Sequence, residues 1–129
     1  MARILLIDDD VDFRTMLRRT LQKAGHEVAE AGNGQEGLKQ LSESLVDLVL
    51  TDIIMPDMEG VETVMHLKRT HPALKVIVMS GGGRLTSDSY LKLALKMGAF
   101  RAFGKPFETA DLLEAVEEAL KPPSDLTPD

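Results

Sequence analysis

The sequence contains no cysteine, no tryptophan and only one tyrosine. Without cysteine the chain can form no disulfide, no thiolate metal site and no thiol nucleophile, and nothing indicates an oxidising compartment. No apolar run approaches the ~20 residues that span a bilayer, and the first residues lack the layout of a signal peptide. We therefore expect a cytoplasmic protein that is neither secreted nor inserted into a membrane.

Positive charge is also in short supply. Fifteen Lys and Arg residues stand against 21 Asp and Glu, which gives a formal net charge of -6. A field of this sign repels phosphates at long range, which argues against direct binding of nucleic acid or of an anionic membrane. Any phosphate that the protein handles must therefore be managed by local groups.

The apolar residues form short runs that alternate with helical patterns. Continuous runs at residues 4–7, 48–50 and 76–79 are typical of strands covered on both faces. Between and around them, apolar residues recur at helical spacing. The predicted helices cover residues 13–24, 35–45, 61–68 and a last segment from about residue 108. Met16, Met65, Met79 and Met97 are predicted to fill the core.

Two more polar strands, near residues 26–31 and 100–103, complete the pattern and suit the edges of a sheet. The alternation predicts an α/β, flavodoxin-like (βα)5 fold, with a doubly wound, five-stranded parallel sheet in the order 2-1-3-4-5. In that order the ligand site lies beyond the carboxyl ends of strands 1 and 3. We expect a domain over residues 1–121, and a disordered tail or linker stub over the proline-rich residues 122–129.

Chemically active side chains follow the predicted strands where each strand ends. They are Asp8, Asp9, Asp10, Asp52, Ser80 and Lys105. Clustered carboxylates repel one another, so a cation must compensate, and Mg²⁺ held by carboxylates and phosphate oxygens fits best. Asp52 is then placed to receive an in-line phosphoryl group, whose equatorial oxygens the ion and Lys105 would neutralise. Asp10 and Asp12 are interpreted as helix-start acids outside the site.

With these pieces the chain resembles the CheY-like receiver domain of two-component response regulators, over roughly residues 2–121. The matching motifs are ILLIDDD at 4–10, DIIMPDMEG at 52–60, VMSG at 78–81, GA at 98–99 and KPF at 105–107. The resemblance implies that Asp52 accepts a phosphoryl group from a sensor histidine kinase or phosphotransfer protein. It also implies a signalling domain, not an enzyme in the usual sense, which catalyses its own phosphorylation and dephosphorylation.

The resemblance assigns further roles. Asp9 and Asp52 would ligate Mg²⁺ together with the backbone carbonyl of Ile54, while Asp8 would act through water. Ser80 and Gly81 would bind the phosphoryl group and Lys105 would pair with it. Lys105-Pro106 would be a cis peptide bond. Phosphorylation would then change the binding of a downstream protein through the strand 4/helix 4/strand 5 face.

The chain departs from the family at two places. An aromatic residue often stands where this chain has Ala102, with Phe103 beside it, so the coupling of that aromatic residue to the strand 4 hydroxyl is absent or rerouted. The run Gly81-Gly82-Gly83 makes the following loop permissive, and we hypothesise that it closes over the phosphoryl group.

Functions of other classes compete with this one. An aspartyl-nucleophile phosphatase using Asp8 is the main alternative, although the motif of that family has Thr or Val at the position of Asp12. A flavin binder is disfavoured because its anionic phosphate would meet the acidic residues at the carboxyl ends of strands 1 and 3. The one Tyr and the absence of Trp also leave little to stack on a flavin ring. A receiver-like module without phosphorylation conflicts with the complete set of site residues. Since no output domain fits after Lys121, the sequence is either a stand-alone receiver or a fragment of a longer regulator.

Overall fold

The computed structural model describes residues 2–53, 60–80, 92–105 and 107–121. Within these ranges the chain forms five strands and five helices. The strands are β1 (Arg3–Ile7), β2 (Glu27–Ala31), β3 (Leu48–Asp52), β4 (Lys75–Ser80) and β5 (Arg101–Gly104). The helices are α1 (Val11–Lys23), α2 (Gly34–Glu43), α3 (Gly60–Thr70), α4 (described over residues 92–96) and α5 (Thr109–Leu120). None of the helices in the described ranges has the length and hydropathy to cross a bilayer.

All strands are parallel and lie in the order β2-β1-β3-β4-β5, as the sequence predicts. The register aligns their carboxyl ends: Ile7 pairs with Thr51, and Asp52 pairs with Met79. Ser80 in turn pairs with Gly104, the residue before Lys105. Residues that follow these strands are therefore delivered to one edge of the sheet.

The central strands are buried on both faces, which explains why they read as continuous apolar runs. Alternate residues point to opposite faces, so each strand contributes to two core clusters. One cluster packs α2, α3 and α4 on the sheet through Leu41, Val64, Leu67 and Ala94. The other packs α1 and α5 through Leu17, Leu21, Leu112 and Val116. The sheet is thus packed between two helical layers.

The prediction that four methionines fill the core is right only in part. Met79 is fully buried in β4 and Met97 packs partly buried against the core. Met16 and Met65 are 42% and 46% exposed, because they lie on the outer sides of their helices. The predicted extension of the second helix to Leu45 is also wrong: α2 ends at Glu43, with an extended Ser44 behind it, and Leu45 is exposed.

The start of α1 shows why Asp10 and Asp12 are structural. The side chain of Asp10 accepts a hydrogen bond from the backbone N–H of Phe13 at 3.1 Å and so caps the helix. Asp12 lies in the first turn, where the helix dipole favours an acid. Their interpretation as helix-start residues is confirmed, and the capped turn determines where α1 leaves the carboxyl end of β1.

Candidate functional site

Three carboxylates meet at the carboxyl end of the sheet. Asp8 and Asp9 follow β1, and Asp52 is the last residue of the neighbouring strand β3. One oxygen from each lies within 4.8 Å of the others. Asp8 and Asp52 are buried and Asp9 is exposed. The structure therefore brings together the three acids that the sequence places at strand ends, with one open to solvent.

Lys105 contacts two of these acids. Its Nζ lies 2.8 Å from Oδ2 of Asp8 and 3.1 Å from Oδ2 of Asp52. Burial of the ammonium by itself lowers the pKa of Lys105, but the hydrogen bond to Asp8 and the charges of Asp52 and Asp8 outweigh it and raise the pKa above its ordinary value. Lys105 is thus held as a cation between the two buried carboxylates.

Asp8 is fixed by further contacts. Its Oδ1 accepts a hydrogen bond from the backbone N–H of Asp10 at 2.9 Å, so both of its carboxylate oxygens are engaged. Its carbonyl accepts a hydrogen bond from the Arg14 guanidinium at 2.7 Å. Arg14 also forms an ion pair with Glu30 of β2, at 2.9 Å. The turn that carries Asp8 and Asp9 is therefore tied to α1 and to the edge of the sheet.

Ser80 is fully buried at the end of β4. Its carbonyl accepts a hydrogen bond from the backbone N–H of Lys105 at 2.7 Å, so the serine and the lysine are joined directly. Of the other sequence-predicted features, Ile54, Gly81 and the Lys105-Pro106 bond lie outside the described residues. The hypothesised loop closure at residues 81–83 lies outside them too.

Three phenylalanines that sequence reasoning did not assign to the site form a chain of ring contacts that reaches Lys105. Its Nζ lies 4.0 Å from the ring centroid of Phe13. That ring meets Phe107 edge to face at 5.9 Å, and Phe107 packs against Phe103 at 5.5 Å. The only sequence signal is that Phe103 and Phe107 flank Lys105, since Phe13 belongs to a distant helix.

The structure also shows how Ala102, at the position where the family often has an aromatic residue, and the neighbouring Phe103 are packed. Ala102 packs against the core cluster under α2, α3 and α4. Phe103 packs on the opposite face of β5, against the cluster under α1 and α5. Because neighbouring residues of a strand point to opposite faces, moving the aromatic residue by one position moves its ring to the other side of the sheet. The Phe103 ring therefore packs against Phe107, on the same face of the sheet as Phe13.

The donor set of this site suits a hard divalent cation. Within the part of the chain described, the candidate ligands are all carboxylate oxygens, and an oxygen set is what Mg²⁺ prefers. Among the described residues, the Lys105 ammonium contacts two of these three carboxylates, and a divalent ion would add positive charge beside all three. The exposed Asp9 leaves a side from which an ion with retained water could enter.

Comparison with known proteins agrees with this arrangement. The family model described as response regulator receiver domain matches residues 4–117. Chemotaxis protein CheY of Listeria monocytogenes is 37% identical over 94% of this chain and 100% of its own length. The DNA-binding transcriptional regulator NtrC of Azospirillum brasilense is 37% identical over 99% of this chain and 27% of its own length. The chain thus spans one relative completely and about a quarter of the other.

Solved structures show the same likeness. A response regulator receiver domain protein from Clostridium thermocellum has a TM-score of 0.85 at 34% identity, covering 93% of this chain and 94% of that one. TrrA of Thermotoga maritima, in complex with Mg²⁺ and BeF, has a TM-score of 0.83 at 31% identity, covering 93% and 100%. The sheet order, the strand-end acids and these matches lead to one conclusion: the chain belongs to the receiver domain family of two-component response regulators.

Proposed function

We propose that Asp52 accepts a phosphoryl group from a sensor histidine kinase or phosphotransfer protein in a Mg²⁺-dependent reaction. The observation that carries this proposal is the meeting of three carboxylates within 4.8 Å, with Lys105 at hydrogen-bonding distance from two of them. Such a cluster can hold a cation and still place a cationic side chain against an arriving phosphoryl group.

Asp9, Asp52 and the carbonyl of Ile54 are proposed to ligate the ion, and Asp8 to act through water. The engagement of both Asp8 oxygens supports this division, because Asp8 has less freedom to ligate directly than the exposed Asp9. When bound, Mg²⁺ would neutralise charge on the phosphoryl oxygens. TrrA, whose structure holds Mg²⁺ and BeF, supports the choice of ion.

The transfer step is an in-line substitution at phosphorus. A carboxylate oxygen of Asp52 attacks phosphorus, the P–N bond of a phosphohistidine breaks, and its electron pair stays on the departing imidazole. The product is an acyl phosphate on Asp52. Lys105 already contacts Asp52 and can move its hydrogen bond to a phosphoryl oxygen. Attack by water on the same phosphorus would release inorganic phosphate, so the domain would also catalyse its own dephosphorylation.

The proposed switch begins at Ser80 and Gly81, which would bind the phosphoryl group. Ser80 ends β4, and its carbonyl accepts a hydrogen bond from the backbone N–H of Lys105. A movement of the serine would therefore shift the residue that follows β5. The β4/α4/β5 surface would then change its affinity for a downstream protein partner. The proposal takes residues 1–121 as the receiver domain and 122–129 as a tail or linker.

The same proposal places the protein in the cytoplasm and gives it protein partners, without direct binding of nucleic acid or membrane. The net charge of -6 supports this choice, because it repels phosphate-rich surfaces. The phosphatase alternative, with Asp8 as nucleophile, is not favoured. Asp8 is fully buried and both of its carboxylate oxygens are engaged, one by Lys105 and one by the N–H of Asp10.

Intact-mass measurement after incubation with Mg²⁺ and acetyl phosphate tests the proposal. Wild type should gain the mass of one phosphoryl group, and Asp52→Asn should gain none because the amide is not a nucleophile. Asp12→Asn, which makes the same change on the exposed first turn of α1, is the matched control and should react like wild type. A gain of mass that persists in Asp52→Asn would remove Asp52 from its proposed role.

A further inference from the structure

Lys105 lies over the ring of Phe13, which belongs to a phenylalanine cluster that consists of Phe13, Phe103 and Phe107. Three of the four phenylalanines of the chain are therefore joined by ring contacts, and one of them faces the Lys105 ammonium. The cluster joins α1, which carries Phe13, to the end of β5 and to the residues before α5. It lies on the α1/α5 face of the sheet, where all three rings pack against the same core cluster.

The ammonium of Lys105 is surrounded by two kinds of partner. Two carboxylates, from Asp8 and Asp52, accept its hydrogen bonds. The face of the Phe13 ring, 4.0 Å away, attracts the remaining positive charge through its quadrupole. The lysine side chain is only 16% exposed, so little water competes for this contact. The ring thus stabilises the cation without using one of its N–H donors.

The position of the Phe13 ring is set by the same turn that sets Asp8. The backbone N–H of Phe13 donates to the Asp10 carboxylate, and the backbone N–H of Asp10 donates to Asp8. The ring edge is held by Phe107 at an interplanar angle of 89°. A short chain of contacts therefore locates the ring relative to the acids, independently of where Lys105 places its ammonium.

We propose that Phe13 is a positioning residue for Lys105. This inference rests on the proposed phosphorylation of Asp52 and deepens it. When a phosphoryl group arrives, the ammonium must exchange a carboxylate oxygen for a phosphoryl oxygen. A cation–π contact is less directional than a hydrogen bond, so it can retain the ammonium in the site while its hydrogen-bond partners change. Without the ring, the lysine samples solvent-facing rotamers and is absent from the site for part of the time.

Three variants and two measurements test this role. Phe13→Leu removes the ring and keeps an apolar side chain, while Phe13→Tyr keeps the ring. Phe100→Leu is the matched control, because Phe100 lies under other cations, Arg101 and Lys75, away from the acids. The first measurement is the NMR shift of the Lys105 ε-methylene protons, which a ring face displaces upfield. The second is the rate of phosphorylation by acetyl phosphate with Mg²⁺, in wild-type and Lys105→Met backgrounds.

The upfield shift should be present in wild type and Phe13→Tyr, and lost only in Phe13→Leu. Phosphorylation should be about 3- to 30-fold slower in Phe13→Leu and within about twofold of wild type in the other two variants. In the Lys105→Met background the effect of Phe13→Leu should vanish, because there is no ammonium to position. An equal loss in that background, or a wild-type lysine without the shift, would overturn the inference. Absence of phosphorylation in wild type would instead refute the proposed function, and the shift would still decide the ring contact.

Discussion

Nζ of Lys105 lies 2.8 Å from Oδ2 of Asp8, although 97 residues separate them in the chain. The contact joins the end of the edge strand β5 to the loop after the central strand β1. A second carboxylate, from Asp52, shares the same ammonium at 3.1 Å. One lysine thus contacts both buried carboxylates and offsets about half of their formal charge, so its removal has consequences for both stability and metal affinity.

Lys105→Met should destabilise the fold by about 2–4 kcal/mol, because it removes the ammonium that contacts the buried carboxylates of Asp8 and Asp52. Urea unfolding without divalent ions measures the change. Addition of Mg²⁺ should recover part of the loss, since the ion supplies the missing charge. Lys96→Met, on an exposed position of α4, is the matched control and should leave the free energy of unfolding nearly unchanged. Equal effects of the two substitutions would contradict this account of the site.

The raised pKa of Lys105 predicts a specific pH dependence. The folded state holds its proton more tightly than the unfolded chain, whose lysine has a pKa of 10.5. The stabilisation is therefore complete below that value and is lost as the pH rises through the higher folded pKa. The difference in free energy of unfolding between wild type and Lys105→Met should be constant near pH 9 and narrow above about pH 10.5. A difference that widened there would show that the pKa is lowered instead.

Mg²⁺ should stabilise the wild-type fold by about 2.7 kcal/mol at a concentration 100 times its dissociation constant. Asp9→Asn should be more stable than wild type without the ion, because it relieves repulsion within the acid cluster. It should also gain less from the ion, by about 1.4 kcal/mol for each tenfold loss of affinity.

Thermal or urea unfolding with and without Mg²⁺ measures both effects of Asp9→Asn. Asp12→Asn removes the same charge one turn away, at an exposed position of α1, and should keep the full response to the ion. If both variants respond to Mg²⁺ as wild type does, Asp9 is not a ligand.

Gly37→Ala should strain the support of Asp8. A Cβ added at Gly37 would lie 2.4 Å from Cδ1 and 2.9 Å from Cγ1 of Ile7, a fully buried residue next to Asp8. We expect a net loss of about 1–2 kcal/mol, because overpacking outweighs the better helix propensity of alanine. Gly32→Ala is the matched control, since its added carbon would approach its nearest neighbours only to 3.5 Å. Equal stabilities of the two variants, measured by urea unfolding, would contradict this packing argument.

Much of this arrangement follows from local sequence patterns. Parallel strands with aligned carboxyl ends deliver whatever follows them to one edge, so Asp8, Asp52 and Lys105 could be placed together from their positions alone. The order of the sheet followed from the polarity of the two outer strands, and both were confirmed as edges. These features depend on periodicity and chain direction, which a sequence displays.

Features that depend on side-chain packing were harder to predict. Met16 is apolar and lies in a helix, yet it faces solvent because Leu17 and Leu21 occupy the buried side of α1. The contact of the Phe13 ring with Lys105 joins a helix to the residue after β5, 92 positions later in the chain, and the sequence has no local signal for it. The predicted end of the second helix at Leu45 was wrong, because this hydrophobic residue lies beyond the last turn of α2.

The acidic and the basic groups of this site follow strands that differ in their number of paired neighbours. Carboxylates come from β1 and β3, which have paired strands on both sides, whereas the amine follows β5, which is paired on one side only. Local fraying at that margin would withdraw the amine and leave the acids in place. A small, reversible opening of the β5 edge would thus make the site more anionic without disturbing the inner strands β1 and β3.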